Sequence, residues 1–296
     1  MKIRHFIFLT ATLLFSACSA EKEFDATGTF EATEIIVSAE ANGRIFHLNA
    51  DEGKRLTKGS AVGLIDTVQL HLKKQQLQAS MKSFESQRPD IRKQIAATKE
   101  EIATAERERD RVESLLKANA ANRKQLDDWN ARLAVLNKQL EAQISTLNNS
   151  TASLNEQSSS VAIQMAQIDD QLAKCHITAP IDGTVLAKYA EPGELAVTGK
   201  PLFKIADMQH VFLRAYITSA QLSDVKLGNK VKVMADYGDG NLKSYDGTVT
   251  WIADQAEFTP KTILTDDERA NQVYAVKIAV NNDGGIKIGM YGKVKF

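Results

Sequence analysis

Apolar residues recur at every seventh position along the middle of this chain. Leu70, Leu77, Phe84, Ile91, Thr98, Ala105 and Val112 form one such series, polar only at Thr98, with Ile95, Ile102 and Leu116 beside it. A second series, Leu126, Leu133, Leu140, Leu147, Leu154, Val161 and Ile168, is apolar throughout. Its companions begin three residues on with Trp129 and Leu136, then move to four residues on with Ile144, Met165 and Leu172. A sustained seven-residue spacing keeps one seam of a helix against a partner, and the drift between three and four is what a real helix shows against a strict heptad. Between Thr67 and Cys175 there is no glycine and one proline, Pro89. The stretch predicts two long helices.

Lys117 to Asn122 separates the two series and is long enough only for a tight turn, so the helices are antiparallel neighbours. Asn122 followed by Gln125 has the form of a capping box, which starts the second helix. Each arm then spans roughly 75 Å at about 1.5 Å per residue. Pro89 removes one amide and predicts a kink, not a domain boundary, because the heptad keeps its phase from Phe84 to Ile91.

An internal repeat brackets this hairpin. Val37 to Ile45 matches Ile177 to Val185 at an offset of 140, and the match runs on through Gly53 with Gly193, Gly59 with Gly199 and Ile65 with Ile205. Each copy holds apolar, strand-like stretches separated by glycines at turns, and is too small to bury a core alone. The two copies are therefore expected to pack on one another, with the hairpin as an insertion between them. After Asp207 come short β-branched and aromatic runs, 211–217, 230–235, 245–253, 273–280 and 288–296, with one helical turn at 219–225 and a long loop at 256–271. A small antiparallel barrel closes such strands without an edge. The fold class is α+β and elongated: a split β domain, an inserted helical hairpin and a barrel.

The N-terminus changes the setting. Lys2 and Arg4 precede an apolar run from Phe6 to Phe15 and then Ser16-Ala17 before Cys18. That order reads as a secretory signal over residues 1–17, too short to be a permanent span. Cleavage before Cys18 with lipid attached to it is the favoured reading; ordinary cleavage with Cys18 as a free thiol is the alternative. The chain has 37 basic and 37 acidic residues, a formal net charge of zero, so no nucleic-acid partner is indicated. Cys175 is the only other cysteine, so no disulfide framework exists.

Catalytic chemistry has no foothold. The five histidines show no ligand spacing, so no metal is expected, and there is no phosphate loop, nucleophile elbow or paired-acid motif. No cofactor is called for and the protein is expected not to be an enzyme.

The residues Ile177-Thr178-Ala179-Pro180-Ile181-Asp182-Gly183-Thr184-Val185, followed by Glu191-Pro192-Gly193-Glu194 and Gly199-Lys200-Pro201-Leu202, resemble a lipoyl or biotinyl half-motif. Two such halves around a helical hairpin look like the HlyD-type periplasmic adaptors, or membrane fusion proteins. The resemblance covers essentially all of the chain after the signal. It implies a tether at 18–27, a barrel strand at 28–36, lipoyl-like halves at 37–66 and 176–207, a hairpin at 67–175 with its tip at 117–122, and a barrel at 208–296. A carrier lysine is not implied: the turn that would hold it is replaced by the hairpin, and Lys73 and Lys74 read as solvated helix positions. A further membrane-proximal domain, common in the family, is expected to be reduced or absent.

The resemblance also implies partners. Adaptors of this kind dock on TolC-type outer-membrane channels through an Arg, a Leu and a Ser around the tip. The matching positions here are Arg111, Leu115 and Asn122; the third departs from the pattern. Arg111 would donate to channel carbonyls or carboxylates and Leu115 would fill a groove. On the residues alone, Arg111 as a solvated side chain, Leu115 as a heptad closure and Asn122 as a cap remain open. Glu191, Pro192, Gly193 and Glu194 would line a lumen in a ring, usually a hexamer. An inner-membrane transporter is implied, an ABC exporter favoured over a major-facilitator or RND pump from the likeness of Ala256 to Lys261, Glu268-Arg269 and Val273 to Val276. Location would be the periplasm, anchored by lipid to the inner membrane, although Ser19 after the cysteine favours the outer membrane in some bacteria. The alternative is a lipid-anchored coiled-coil spacer without a transport role.

Overall fold

The computed structural model describes residues 24–257 and 272–296. The signal, Cys18 and most of the 256–271 segment lie outside these residues. Helices and strands run in the order β1 (Ala26–Ser38), β2 (Gly43–Leu48), β3 (Arg55–Leu56), β4 (Ala61–Ile65), α1 (Val68–Ser86), α2 (Ile91–Gln94), α3 (Ala96–Lys117) and α4 (Arg123–Lys174), then β5 (His176–Thr178), β6 (Gly183–Lys188), β7 (Leu195–Ala196) and β8 (Pro201–Thr218). The chain closes with β9 (Lys230–Asp236), β10 (Leu242–Ile252), β11 (Val273–Asn281) and β12 (Tyr291–Lys295).

The return arm α4 is a single helix of 52 residues. Its heptad positions face the first arm: Leu133, Leu136 and Val161 are buried, and Leu140, Leu147, Leu154 and Ile168 are half-buried. The first arm is more interrupted than a kink. Pro89 lacks an amide and pushes Arg88 out of the helical region, so α1 ends at Ser86 and four residues, 87–90, leave the helix. Asp90 restarts it by accepting the Lys93 amide at 3.3 Å. A second irregularity at Ile95 separates α2 from α3. The seam nonetheless stays in phase, with Leu77, Ile95, Ile102 and Ala105 all buried.

The split domain is built by exchange. Gly53 N donates to Val185 O at 2.9 Å, and 140 residues on, Gly193 N donates to Ile45 O at 2.8 Å. Gly59 N donates to Ala179 O and Gly199 N to Ala39 O, both at 2.8 Å. Even side chains obey the relation: Asp182 Oδ1 accepts from Lys58 N at 2.9 Å, and Asn42 Oδ1 from Thr198 N at 2.8 Å. Each half thus satisfies the turn amides of the other, which is why neither half stands alone. Ile45, Ile65, Val185, Ile205, Leu202 and Phe203 fill the shared core with almost no exposure. Cys175 is buried here, where loss of water and then the Asp66 charge push its thiol up from the usual range.

The barrel has six strands in the order β1-β12-β9-β10-β11-β8, closed by pairing of β8 with β1. Phe30, Leu213, Ile217, Val233, Ile278 and Val294 form its core. At one seam small residues meet, Gly28 lying opposite both Gly292 and Ala215. A Cβ at Gly28 would fall 1.9 Å from the Arg214 carbonyl oxygen.

One arrangement differs from the sequence-based outline. That outline placed a domain border between 207 and 208 and a barrel strand over 28–36, whereas β1 and β8 each run through both cores as one ribbon, paired from Thr27↔Tyr216 to Ser38↔Pro201. The register shifts at the waist, from Ala32↔Val211 to Glu34↔Ala206, so that 207–210 bulge. Asp207 closes the bulge by accepting from Gln209 N at 2.9 Å and pairing with His210 Nδ1 at 2.8 Å. Burial pushes the Asp207 carboxyl up, but His210 and the two amides outweigh it and hold it below its usual range. Asn282 from the barrel donates to Met208 O at 2.8 Å and pins the bulge.

Candidate docking site at the hairpin tip

α3 ends in a Schellman motif. Ala120 N donates to Leu115 O at 2.8 Å and Asn119 N to Leu116 O at 3.0 Å, with Asn119 in the left-handed region at φ 58. Asn122 then opens α4: its side chain accepts from Lys124 N at 3.1 Å, and Gln125 Oε1 accepts from Asn122 N at 3.3 Å. The turn between them carries only alanine and asparagine side chains, so another backbone can approach it closely.

The seam residues Val112 and Leu116 turn inward, which leaves Leu115 facing outward and 41% exposed. Arg111, one turn earlier, is also exposed and is held only loosely, 3.8 Å from Glu108. Both line a shallow groove of 290 Å³ together with Glu108, Val112, Gln125, Asp128 and Trp129. Asn122 is not among its lining residues; its carbonyl oxygen is engaged by the cap. Trp129, singled out in the sequence only as a seam residue, forms part of the groove as well as packing on the coil core. The arrangement presents a guanidinium, an exposed leucine and an indole on one groove.

The loop Glu191–Glu194 lies at the other end of the hairpin, between β6 and β7. Lys188, its side chain 15% exposed, holds Glu191 at 2.7 Å and Asp51 at 3.4 Å. Asp51 and Glu191 are 140 residues apart, so Lys188 gathers equivalent turns of the two halves. Glu191, then Asp51, holds the Lys188 ammonium above its ordinary range. Glu194 pairs with Lys200 at 2.8 Å, which lowers its carboxyl, while Pro192 and Gly193 are exposed. Lys74, near the hairpin base, is engaged with Asp169 across the two arms at 2.6 Å. Among the described residues no group of three or more His, Cys, Asp or Glu is placed to hold a metal ion, and no helix is long and apolar enough to cross a membrane.

A β domain made of two exchanged halves, opened by a helical hairpin and joined to a closed barrel, defines a barrel-sandwich hybrid protein. Residues 33–208 match the family model described as RND MFP, barrel-sandwich hybrid domain, and the chain belongs to that family of membrane fusion proteins, the periplasmic adaptors. It is similar to a UPF0194 membrane protein of Acidithiobacillus ferridurans, 28% identical over 291 residues, covering 91% of this chain and 86% of the relative. A UPF0194 membrane protein of Yersinia pseudotuberculosis is 26% identical, covering 98% and 95%. Among solved structures, MacA from Actinobacillus actinomycetemcomitans shares the fold with a TM-score of 0.56 at 21% identity, over 91% of this chain and 76% of that one. A MacA-MexA chimera carrying the Pseudomonas aeruginosa MexA α-hairpin does so with a TM-score of 0.53 at 21% identity, over 91% and 78%.

Proposed function

We propose that this protein is a non-enzymatic adaptor that joins an inner-membrane transporter to a TolC-type outer-membrane channel, for export of drugs or other substrates. The reading is carried by the tip: Arg111 and Leu115 stand exposed one turn apart on a groove, beside a turn of small residues, at the end of a long hairpin. Leucine supplies apolar contact with little rotamer cost and arginine supplies directed donors, a pairing suited to a helical channel rim. In this scheme Asn122 acts by shaping the tip, Cys18 carries the lipid that holds the chain on the inner membrane, and the chains form a ring, a hexamer by family likeness. Glu191 to Glu194 face its lumen. The transporter is an ABC exporter on the likeness of Ala256 to Lys261, Glu268-Arg269 and Val273 to Val276, and energy comes from that partner.

The test is in-cell crosslinking from a photo-reactive residue at Leu115, with one at the exposed mid-arm residue Gln139 as control. Capture of an outer-membrane channel from Leu115 alone is expected. Capture only of other copies of this chain, from both positions, would favour a coiled-coil spacer. Identification of the inner-membrane protein that co-purifies with the adaptor decides between an ABC exporter and a pump of another class.

A further inference from the structure

The barrel has one end turned toward the split domain and one turned away, and the far end has a surface of its own. β1, β9 and β11 begin at the far end, and β8, β10 and β12 finish there. On β9 and β12 the buried positions are Val231, Val233 and Val294, so Lys230, Lys232, Lys293 and Lys295 all point outward from neighbouring strands. Lys232 and Lys295 are direct register partners, a placement of like charges that weakens a sheet. Asp246 pairs with Lys232, and Asp236 lies 3.9 Å from Lys293. Lys226, Lys230 and Lys295 form no ion pair among the described residues. Two acids beside them are engaged within the chain: Asp25 accepts from the Phe296 amide at 2.9 Å and Asp224 from the Ser223 hydroxyl at 3.2 Å.

Apolar groups stand among these lysines. The turn into β9 reads Lys226-Leu227-Gly228-Asn229-Lys230. Val225 before it is buried in the barrel, and Gly228 N donates to Val249 O at 2.8 Å, which leaves Leu227 thrown outward between two lysines and 67% exposed. Trp251, next to last in β10, is exposed at the same end, with Lys277 Nζ 5.8 Å from its ring centroid. Lys293 Nζ stands 5.0 Å from the ring centroid of Phe24. Protein interfaces are depleted in lysine. Exposed leucine and tryptophan flanked by lysine suit a bilayer surface instead, where the apolar groups sink among the headgroups and the ammonium groups stay with the phosphates. Cys18 lies six residues before Phe24, a reach of at most about 20 Å.

We infer that the far end of the barrel is a binding surface for anionic phospholipid: Leu227 and Trp251 enter the headgroup layer, and Lys226, Lys230 and Lys295 meet the phosphates. The inference rests on the membrane placement proposed above. It adds a second contact to the lipid on Cys18, which a flexible tether alone leaves unable to set the tilt of the barrel.

The chain holds two tryptophans, Trp129 near the hairpin tip and Trp251, so each reports on one end of the molecule. The full chain, reconstituted in vesicles of phosphatidylcholine with or without phosphatidylglycerol, tests the inference through fluorescence quenching by lipids brominated near the headgroup. In Trp129→Phe, the remaining Trp251 is expected to be quenched in the anionic vesicles and to lose that quenching in the neutral ones. In Trp251→Phe, Trp129 is expected to stay unquenched in both. Added to Trp129→Phe, either Leu227→Asp or Lys226→Glu with Lys230→Glu is expected to abolish the difference between vesicles, and high salt to reduce it. These positions are exposed, so the variants keep the fold, which unchanged thermal melts verify. Absent quenching, equal quenching in both vesicles, or quenching indifferent to the variants overturns the inference. Shielding of Trp251 from a soluble quencher only when the inner-membrane transporter is present also overturns it and assigns this end to a protein. These outcomes separate from those at the tip: channel capture from Leu115 with Trp251 unquenched rejects this surface alone, and lipid-dependent quenching without channel capture rejects the bridging function alone.

Discussion

Gln143 on the return helix reaches across the coil and donates to the carbonyl oxygen of Gln94 at 3.1 Å, at the irregular turn after Pro89. Its other amide atom accepts from Thr98 at 3.1 Å. One side chain thus serves a main-chain acceptor that the interrupted helix leaves poorly paired and a hydroxyl on the far side of the irregularity. Gln143→Ala is expected to destabilise the hairpin by about 1 kcal/mol. Urea unfolding checks the magnitude, and faster amide hydrogen exchange confined to residues 94–99 checks the location.

Asn119 is held at φ 58, where a Cβ-bearing residue without a compensating polar group is strained. Asn119→Gly is expected to leave the thermal midpoint unchanged or raise it slightly. Asn119→Ala lowers stability by about 1 kcal/mol, because alanine bears the left-handed penalty without the local hydrogen bonding asparagine offers. Melting curves of the two variants compared with the unaltered chain decide the point.

Gly28 cannot accept a side chain. Its would-be Cβ meets main chain, the Arg214 carbonyl oxygen at 1.9 Å and the Ala215 Cα at 2.6 Å, and main chain cannot rotate away as a side chain can. Gly28→Ala is expected to open the β1–β8 closure at a cost of about 3 kcal/mol. A β-rich circular dichroism signal that melts well below that of the unaltered chain is the expected result; an unchanged melt would show that the seam relaxes freely.

Lys243, Tyr245 and Asp283 form a titrating cluster at one end of the barrel. Lys243, then the Gly285 amide and the Tyr245 hydroxyl, hold the Asp283 carboxyl down at about 2. Burial, then the Tyr237 and Asp283 hydrogen bonds, push Tyr245 up to about 12. A depressed carboxyl stabilises the fold above its unfolded value, and the contribution is lost as pH falls from about 4 to about 2. A raised phenol stabilises below its unfolded value, and that contribution is lost as pH climbs from about 10 to about 12. Asp283→Asn is expected to flatten the acid limb of the stability profile, and Tyr245→Phe to remove the last tyrosinate step from an alkaline absorbance titration.

Much of this architecture is legible from residue spacing, for identifiable reasons. The α4 heptad shows because every seventh position is apolar and nothing interrupts it. The exchanged halves show because turn glycines recur at the same offset as the core positions they serve. The capping box at Asn122 and Gln125 shows because it is local. What escapes detection depends on distant partners. Pro89 signals a break, but its extent follows from Asp90 capping and from Gln143, which is far away in sequence. The ribbon of β1 and β8 escapes because its bulge at 207–210 interrupts the strand pattern while Asn282, from the barrel, holds the two strand segments in line. At the tip, Arg111 and Leu115 are picked out by the family resemblance alone and not by their spacing, and the contribution of Trp129 to their groove depends on how the two arms rotate against each other. The left-handed Asn119 had a signal, since asparagine in a short turn after a helix is the commonest substitute for glycine there.

The shared ribbon has a mechanical consequence. Two hydrogen-bonded strands resist being pulled apart along their length but yield to twisting, and β1 and β8 cross from barrel to split domain without any slack segment. A pull applied to the barrel along the ribbon is therefore passed directly to the split domain that carries the roots of α1 and α4. With α4 a single unbroken rod of 52 residues, a small angular change at its root becomes a large lateral displacement at Leu115.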